Sequence, residues 1–331
     1  MISSLVRRGL FLTALLGLAG CNTVVLNPSG DIAGQQAHLV IVSTLLMLLI
    51  IVPVMFLICW YAWKYRQSNT AAKYEPDWDH STKLELLIWG APLLIIIVLG
   101  LITWIYTHLL DPYRPLSRLD ENRPVAADVK PLDIQVVAMD WKWMFIYPEQ
   151  GIATVNELVT PIDVPVRFHM TSSSVMNAFY IPALAGMVYT MPGMETQLNA
   201  VMNKVGVYDG FSSNYSGAGF SDMKFKYHGV TQADFDAWVA KTRGNAKLTR
   251  TDYVELDKPT IKHPIMHFGS VDKGLYDLVL NRCVAEGSTC INTMMHQDAT
   301  RIQSATAVKE AAKEICETPV AAATVQPTRK N

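Results

Sequence analysis

The chain has 331 residues, of which 50% are hydrophobic, and its mean hydropathy is positive at +0.18. This composition is unusual for a soluble protein and favours a membrane-anchored one with two or three structural units. The formal net charge of −1, without a long basic run, gives nucleic acid little electrostatic reason to bind. Five cysteines are too few for a disulfide scaffold.

The N-terminus has the pattern of a bacterial signal peptide. Arg7 and Arg8 precede the apolar run 10–20, which is too short to span a bilayer and ends in small residues before Cys21. This ending resembles the lipobox of bacterial lipoproteins, so residues 1–20 are predicted to be cleaved and Cys21 to be lipidated. The alternative is a plain signal, or an uncleaved anchor with an incidental cysteine.

Residues 21–110 are predicted to form the lipid-anchored N-terminus and two membrane-spanning helices. The first uncharged run covers 32–63 and the second covers 86–110, and each is long enough to cross a bilayer. The linker between them is basic, whereas residues 22–63 contain no lysine or arginine. The positive-inside rule therefore places the linker in the cytoplasm, and the N-terminus and everything after the second run in the periplasm. A two-helix hairpin cannot enclose a transport path, so we expect a larger membrane partner.

Residues 111–131 are polar and proline-punctuated, which is typical of a connector. After them, apolar and polar residues alternate with a period of two, and proline and glycine separate short segments. The predicted strands lie at 132–138, 164–171, 175–181, 197–202 and 224–229. This spacing favours a β-sandwich or barrel over residues 132–230.

The pattern becomes helical in residues 231–300. Thr231 can cap a helix whose third residue is Asp234, and Leu275 to Cys283 favours another short helix. Residues 301–331 are rich in alanine, lysine and glutamate and then in threonine and proline. They are predicted to be a solvated helix that frays into a disordered tail.

Glu85 stands at the cytoplasmic start of the second span and has two interpretations. A carboxylate in the first turn of a helix complements the helix dipole, which is the ordinary role of such a residue. An ionisable group beside a partner's water path can instead collect protons.

Histidine, cysteine and methionine are frequent in the C-terminal third, but a metal site is disfavoured there. His263 and His267 have helical ligand spacing, yet Pro264 argues against an ordinary helix. In an oxidising compartment Cys283 and Cys290 favour a disulfide over a metal pair, and Cys316 is an alternative partner for either. Nowhere in the sequence is a complete catalytic set visible.

The glycine-rich loop 210–223 contains hydroxyls, amides and a phenyl ring where a metal loop needs thiolates, imidazoles or carboxylates. Its Met223 is the only soft donor. Taken alone, the loop is a turn without a ligand set.

These features in this order resemble subunit II of haem–copper respiratory oxidases, and in detail the quinol-oxidase branch of cytochrome bo type. The resemblance runs from Cys21 to about Cys283. It rests on His80…Glu85…Trp89…Pro92, on 140–157, on 174–182 and on the loop 210–223. It implies a membrane-anchored α+β chain, with a two-helix hairpin, a cupredoxin-like antiparallel β-sandwich outside the membrane, and a short aromatic-containing segment near 266–280.

In the cytochrome c oxidases of this family the subunit holds a two-copper centre, with two cysteines, two histidines, a methionine and a glutamate carbonyl as ligands. The corresponding positions of this chain read Asn177, Ser212, Asn214, Ser216, Phe220 and Met223. Serine hydroxyls are poor ligands for soft copper, and phenylalanine offers no lone pair. The resemblance therefore implies that no copper binds here and that cytochrome c is not the electron donor.

The implied function is that of subunit II of a proton-translocating ubiquinol oxidase that reduces oxygen to water. No cofactor is expected in this chain. Haems, the catalytic copper and the ubiquinol site are expected in subunit I, accompanied by further small membrane subunits. The resemblance matches Glu85 to an acidic residue at the mouth of a proton pathway, which makes proton entry the favoured hypothesis.

A rival from another class is a membrane-anchored cupredoxin-like lipoprotein that acts as a binding or assembly module without an oxidase. A copper-bearing subunit of a cytochrome c oxidase is a third possibility, and the loop 210–223 argues against it.

Overall fold

The computed structural model describes residues 23–73, 75–126 and 129–317. The predicted signal peptide, Cys21 and the tail 318–331 lie outside these residues. The two predicted spans are helices, α1 (Asp31–Lys64) and α2 (Thr82–Leu109), and both are long and apolar enough to cross a membrane. Their large apolar side chains are exposed in the single chain, as expected for helices whose surroundings are lipid or a partner.

The start of helix α1 packs directly against the strand-rich domain of residues 132–271, which we call the outer domain. The backbone N–H groups of Ser29 and Gly30 both donate to the carbonyl oxygen of Ala183, at 3.0 and 2.9 Å. Asp31 opens the helix and forms an ion pair with Arg118 of the connector at 3.0 Å. The first turns of α1 are therefore part of the domain's packing.

The outer domain is built from short strands, as the alternating pattern predicts. The strands of the described part of the chain are β1 (Leu132–Met139), β2 (Lys142–Tyr147), β3 (Ile152–Val155), β4 (Glu157–Pro161), β5 (Val166–Ser172), β6 (Asn177–Tyr180), β7 (Val188–Thr190), β8 (Thr196–Ala200), β9 (Gly206–Ser212), β10 (Lys224–Val230), β11 (Lys247–Leu248), β12 (Met266–Phe268) and β13 (Ser270–Val271). One sheet has the order β12-β3-β2-β1-β5-β8 and a second has the order β4-β10-β9-β6-β7. A small third sheet pairs β11 with β13.

The predicted sandwich is confirmed, but it is not entirely antiparallel, because two of its strand pairs are parallel. Strands β1 and β5 run parallel, and so do β4 and β10. The chain crosses from the first sheet to the second at β4 and returns at β5, so strands that are distant in sequence become neighbours with the same direction. The remaining strand pairs of the two large sheets are antiparallel.

The core between the two sheets is aromatic. Trp143 and Phe145 of β2 meet Phe179 of β6 and Phe225 of β10, with ring centroids 5.0 to 5.8 Å apart in three of these pairs. Burying rings of this size supplies much of the hydrophobic free energy of folding. The aromatic run 139–147 is thus strand and core, as the sequence indicates.

The helices of the C-terminal segment are α3 (Gln232–Thr242), α4 (Arg250–Leu256), α5 (Leu275–Leu280) and α6 (Ile291–Glu317). Helix α3 packs against the core between the two sheets through Phe235 and Val239, whereas α4 and α5 form a third layer on the outer face of the first sheet. Met144 and Ile146, which point away from the aromatic core, pack there against Tyr253 and Leu275. All of β2 is therefore buried on both faces.

The helices of this segment follow the sequence signals with two differences. Thr231 caps α3 by accepting the N–H of Asp234, as predicted. Helix α5 ends at Leu280, three residues before the expected end. Helix α6 is continuous across residue 300, where we expected a boundary, because no glycine or proline occurs between Ile291 and Glu317 to end it.

Candidate functional site

The predicted loop 210–223 begins within β9, which extends to Ser212, and continues to the start of β10. Both of its ends lie beside the start of β6, so the sandwich brings them together. Backbone bonds close this junction: Ser212 N–H donates to the carbonyl oxygen of Met223 at 3.2 Å, and Ser213 N–H to that of Ala178 at 3.1 Å. Gly210 is needed here because a Cβ would lie 2.1 Å from the ring of Phe225. The loop therefore begins and ends at a tightly packed junction of β9, β10 and β6.

Asn177 and Ser212 face each other as a buried polar pair. The Ser212 hydroxyl lies 3.2 Å from Oδ1 of Asn177 and 3.2 Å from the carbonyl oxygen of Asn214. The N–H of Ala178 also donates to this hydroxyl, at 3.4 Å. A serine hydroxyl has a single proton, so it serves one of its two acceptors at a time. The structure thus brings three of the predicted positions together in one hydrogen-bonded cluster.

Ser216 lies further along the loop, against the ring of Trp141. The indole Nε1–H of Trp141 donates to the carbonyl oxygen of Ser216 at 3.0 Å. A Cβ on Gly219 would lie 2.4 Å from the same indole, and Gly217 has a φ of +106°. The hydroxyl oxygen of Ser216 is buried and has no hydrogen-bond partner among the described residues. The loop is folded around an aromatic ring at this point.

Phe220 and Met223 close the loop with apolar contacts. Phe220 begins a short 3₁₀ turn, Phe220–Asp222, and its ring meets Tyr215 edge-on at 5.6 Å. Met223 is fully buried and belongs to the aromatic core. The donors of this cluster are hydroxyl, amide and thioether groups, which do not match the thiolate and imidazole set that soft copper prefers. Within the described residues, no group of three or more His, Cys, Asp or Glu side chains is arranged to hold a metal ion.

Glu85 lies in the first turn of α2, as the sequence predicts, and pairs with a residue of the preceding linker. Its Oε1 lies 2.7 Å from Nδ1 of His80, whose Nε2 is 3.2 Å from the Thr82 hydroxyl. Both members of the pair are more than half exposed in the single chain, at 51% and 62%. The sequence pattern singled out Glu85 but did not predict this pairing, although a histidine five residues before it was a visible signal.

The two sites are far apart. Glu85 begins α2, while the loop 210–223 belongs to the domain attached at the other end of that helix. At a rise of 1.5 Å per residue, the 28 residues of α2 span about 40 Å. The loop and the carboxylate therefore do not form one site.

The C-terminal histidines and cysteines form structural contacts. Nε2 of His267 lies 2.6 Å from Oε2 of Glu157, so this residue of β12 is tied to β4 by an ion pair when the imidazole is protonated. Cys283 and Cys290 form a disulfide, which confirms the favoured pairing. His263 lies outside any helix, as Pro264 predicts.

Comparisons with family models and with related proteins show which family this chain belongs to. The family model for the periplasmic domain of cytochrome c oxidase subunit II matches residues 147–230, and the model for the oxidase aromatic-rich motif matches residues 243–287. The chain is 48% identical over 273 residues to cytochrome bo(3) ubiquinol oxidase subunit 2 of Pseudomonas putida, covering 82% of this chain and 84% of that protein.

Two further relatives extend the comparison. The chain is 43% identical over 304 residues to ubiquinol oxidase subunit 2 of Acetobacter aceti, covering 90% of this chain and 96% of the relative. It is 39% identical over 254 residues to quinol oxidase subunit 2 of Bacillus cereus, covering 76% and 84%. The similarity therefore extends well beyond the outer domain.

Proposed function

Because the chain belongs to the family of ubiquinol oxidase subunit II, we propose that it acts in its respiratory complex without a redox centre of its own. Electrons from ubiquinol then pass directly to the haem-bearing subunit I, which holds the haems, the catalytic copper and the quinol site. Cytochrome c is not a donor in this proposal. The remaining tasks of this chain are assembly, the shape of the periplasmic surface and a contribution to proton entry.

The observation that carries this proposal is the chemistry of the loop 210–223. The Ser212 hydroxyl already bonds to Asn177 of β6 and to the carbonyl oxygen of Asn214, and Phe220 contributes no lone pair. A copper ion would have to displace these hydrogen bonds and accept hydroxyl and amide oxygens in place of thiolates.

Metal analysis of the purified complex tests this proposal. We expect the copper of subunit I alone and no mixed-valence copper spectrum from the outer domain. Two further copper ions for each copy of this chain, with that spectrum, would overturn it.

Co-purification distinguishes the proposed function from its rival, a binding or assembly module without an oxidase. The relatives at 39–48% identity are oxidase subunits by name, which supports a complex with subunit I; the proposed complex also contains further small membrane subunits. An affinity-purified chain should bring haem-containing subunits with it. A chain that purifies from the membrane without haem would support the rival.

We also propose that Glu85 admits protons from the cytoplasm to a pathway in subunit I. It is ionisable, exposed at the start of a membrane-spanning helix, and within hydrogen-bond distance of a second titratable group, His80. The competing role is a favourable charge at the helix N-terminus.

Proton uptake by the Glu85→Gln oxidase separates the two roles. The amide keeps the side chain's size but cannot take up and release a proton at ordinary pH, so turnover and proton uptake should both fall. Glu75→Gln is the matched control, since Glu75 is a linker carboxylate already paired with Lys73. If the Glu85→Gln oxidase has wild-type turnover and proton uptake across the pH range, only the interaction of Glu85 with the helix dipole would remain as its role.

The proposed location is the bacterial inner membrane, with the linker 65–81 in the cytoplasm and both the lipidated Cys21 and the sandwich in the periplasm. The distribution of lysine and arginine supports this topology. Mass spectrometry of the mature N-terminus tests the lipid, with Cys21→Ser expected to abolish it. An unmodified, uncleaved N-terminus would contradict the proposal.

A further inference from the structure

A cavity of about 210 Å³ lies between the sandwich and the C-terminal layer. Ser173, which follows β5, lines one side of it. Tyr253 and Asp257 line the other, four residues apart at the end of α4, where the N–H of Asp257 donates to the carbonyl oxygen of Tyr253 at 2.8 Å. The 283–290 disulfide loop forms a further wall through Val284.

Three buried oxygen atoms at this cavity make no well-oriented hydrogen bond to the described residues, although the Ser173 hydroxyl lies close to the other two: Oγ of Ser173, Oη of Tyr253 and Oδ1 of Asp257. The Tyr253 side chain belongs to a residue only 2% exposed. Buried polar atoms in folded proteins are nearly always paired, because leaving one unpaired costs the full desolvation free energy of that group. Three such atoms at one cavity indicate a binding site for a polar group.

The acidic group at the cavity is Asp257, which forms no ion pair with a basic side chain among the described residues. Burial raises the pKa of Asp257 and is the largest effect; the adjacent Ser173 hydroxyl lowers the pKa by hydrogen bonding, the nearby carboxylate of Asp140 raises it, and Lys142 lowers it. The Lys142 ammonium is already engaged, since it donates to the carbonyl oxygen of Lys258 at 2.8 Å and to the hydroxyl of Thr260 at 3.3 Å. A cation placed in the cavity would favour the ionised form of Asp257.

We propose that this cavity binds a small primary ammonium group. Such a group offers three N–H donors and no acceptor, which matches the three unpaired oxygens at Ser173, Tyr253 and Asp257. The bond to the carboxylate would be charge-assisted and is the strongest of the three.

The walls of the cavity limit the rest of the ligand. Val254, Val279 and Val284 provide apolar surface for a short alkyl chain, and the volume admits only a few heavy atoms beside the ammonium group. Arg282 lies exposed at the rim, so a ligand with a second positive charge is disfavoured. Water is the competing occupant, since it also bonds to buried oxygens.

Saturation-transfer NMR on the detergent-solubilised oxidase complex tests the proposal, with ethylammonium as the probe and ethanol and tetramethylammonium as comparisons. Ethanol lacks the charge, and tetramethylammonium lacks N–H donors. We expect saturable transfer to ethylammonium only. Asp257→Asn should weaken the affinity by about tenfold or more, and Tyr253→Phe by about two- to tenfold.

Glu255→Gln is the matched control, because Glu255 lies exposed on the same helix and pairs with Lys258 outside the cavity. It should bind the probe as the wild type does. Binding to the wild type should also weaken on acidification, since protonation of Asp257 removes the charge that the ammonium group requires.

Equal transfer to ethanol, or an Asp257→Asn affinity equal to that of the wild type, would show that the cavity holds water and overturn the proposal. If Asp257→Asn fails to fold, two other measurements test the proposal: ethylammonium binding by Tyr253→Phe, and the pH dependence of binding by the wild type. Unchanged binding in both measurements would equally reject the ammonium site.

Discussion

Replacing Gly30 by alanine should loosen the junction between α1 and the outer domain. A Cβ at this position would lie 2.6 Å from the carbonyl oxygen of Val201 and 2.8 Å from that of Leu184. Unstrained carbon–oxygen contacts are about 3.3 Å or longer, so the helix start must move by about 0.5–0.7 Å. The obstructing atoms are backbone oxygens, which cannot swing aside as a flexible side chain can.

The cost follows from what that movement disturbs. Overpacking of this kind costs about 1–3 kcal/mol. The displaced bonds are those of Ser29 and Gly30 to Ala183, each worth about 1 kcal/mol. A gain of about 0.4–1 kcal/mol from restricting the unfolded chain opposes these losses. We therefore expect Gly30→Ala to destabilise the junction by roughly 2–4 kcal/mol.

Gly34→Ala provides the matched control one turn along the same helix. Its Cβ would find only Pro28 at 4.0 Å, and alanine favours a helix over glycine by about 0.5–1 kcal/mol. Thermal unfolding of the purified complex and amide exchange at Ser29 measure the difference. Gly30→Ala should lower the midpoint and speed exchange, whereas Gly34→Ala should do neither. Equal stability of the two variants would refute the tight junction.

Three further substitutions test other parts of the molecule. Gly219→Ala should displace the Trp141 indole and cost about 1–3 kcal/mol, seen as a shift in tryptophan fluorescence; an unchanged spectrum would contradict the packing. Arg123 lowers the pKa of Asp163 through a hydrogen bond, so this pair stabilises the fold above about pH 4 and is lost as the pH falls below that value. Asp163→Asn should flatten the acid-induced loss of stability between about pH 5 and 3, by less than about 1 kcal/mol because the pair is partly exposed; an unchanged acid profile would reject the role. Cys290→Ser opens a short loop and should cost about 2 kcal/mol, measured as a lower unfolding midpoint that chemical reduction reproduces in the wild type; a midpoint insensitive to reduction would argue against the disulfide.

Local sequence signals predicted much of the fold. Uncharged runs marked α1 and α2, a period of two marked β5, and Thr231 marked the start of α3, because each signal arises within a few residues. The pattern could not show that β2 is buried on both faces, since the third layer comes from residues more than a hundred positions later. It also could not show the pairing of Asp31 with Arg118, which depends on the tertiary fold.

For the candidate sites too, some features could be predicted from the sequence and others required the tertiary structure. The ligand-poor character of the loop 210–223 is a property of residue types, so the sequence revealed it. The hydrogen bonds that join Asn177 to Ser212 required the structure, because these residues lie on separate strands. The unpaired oxygens of Ser173, Tyr253 and Asp257 had no signal in the sequence, as each is an ordinary residue until the third layer closes over the sheet.

The identity of the electron donor tests the central claim most directly. Oxygen consumption by the purified complex should be measured with ubiquinol and with reduced cytochrome c as alternative donors, alongside copper counted for each copy of this chain. The loop chemistry predicts turnover with ubiquinol, none with cytochrome c above background, and no copper in the outer domain. Turnover with cytochrome c together with copper bound at the Ser212 and Ser216 positions would contradict it.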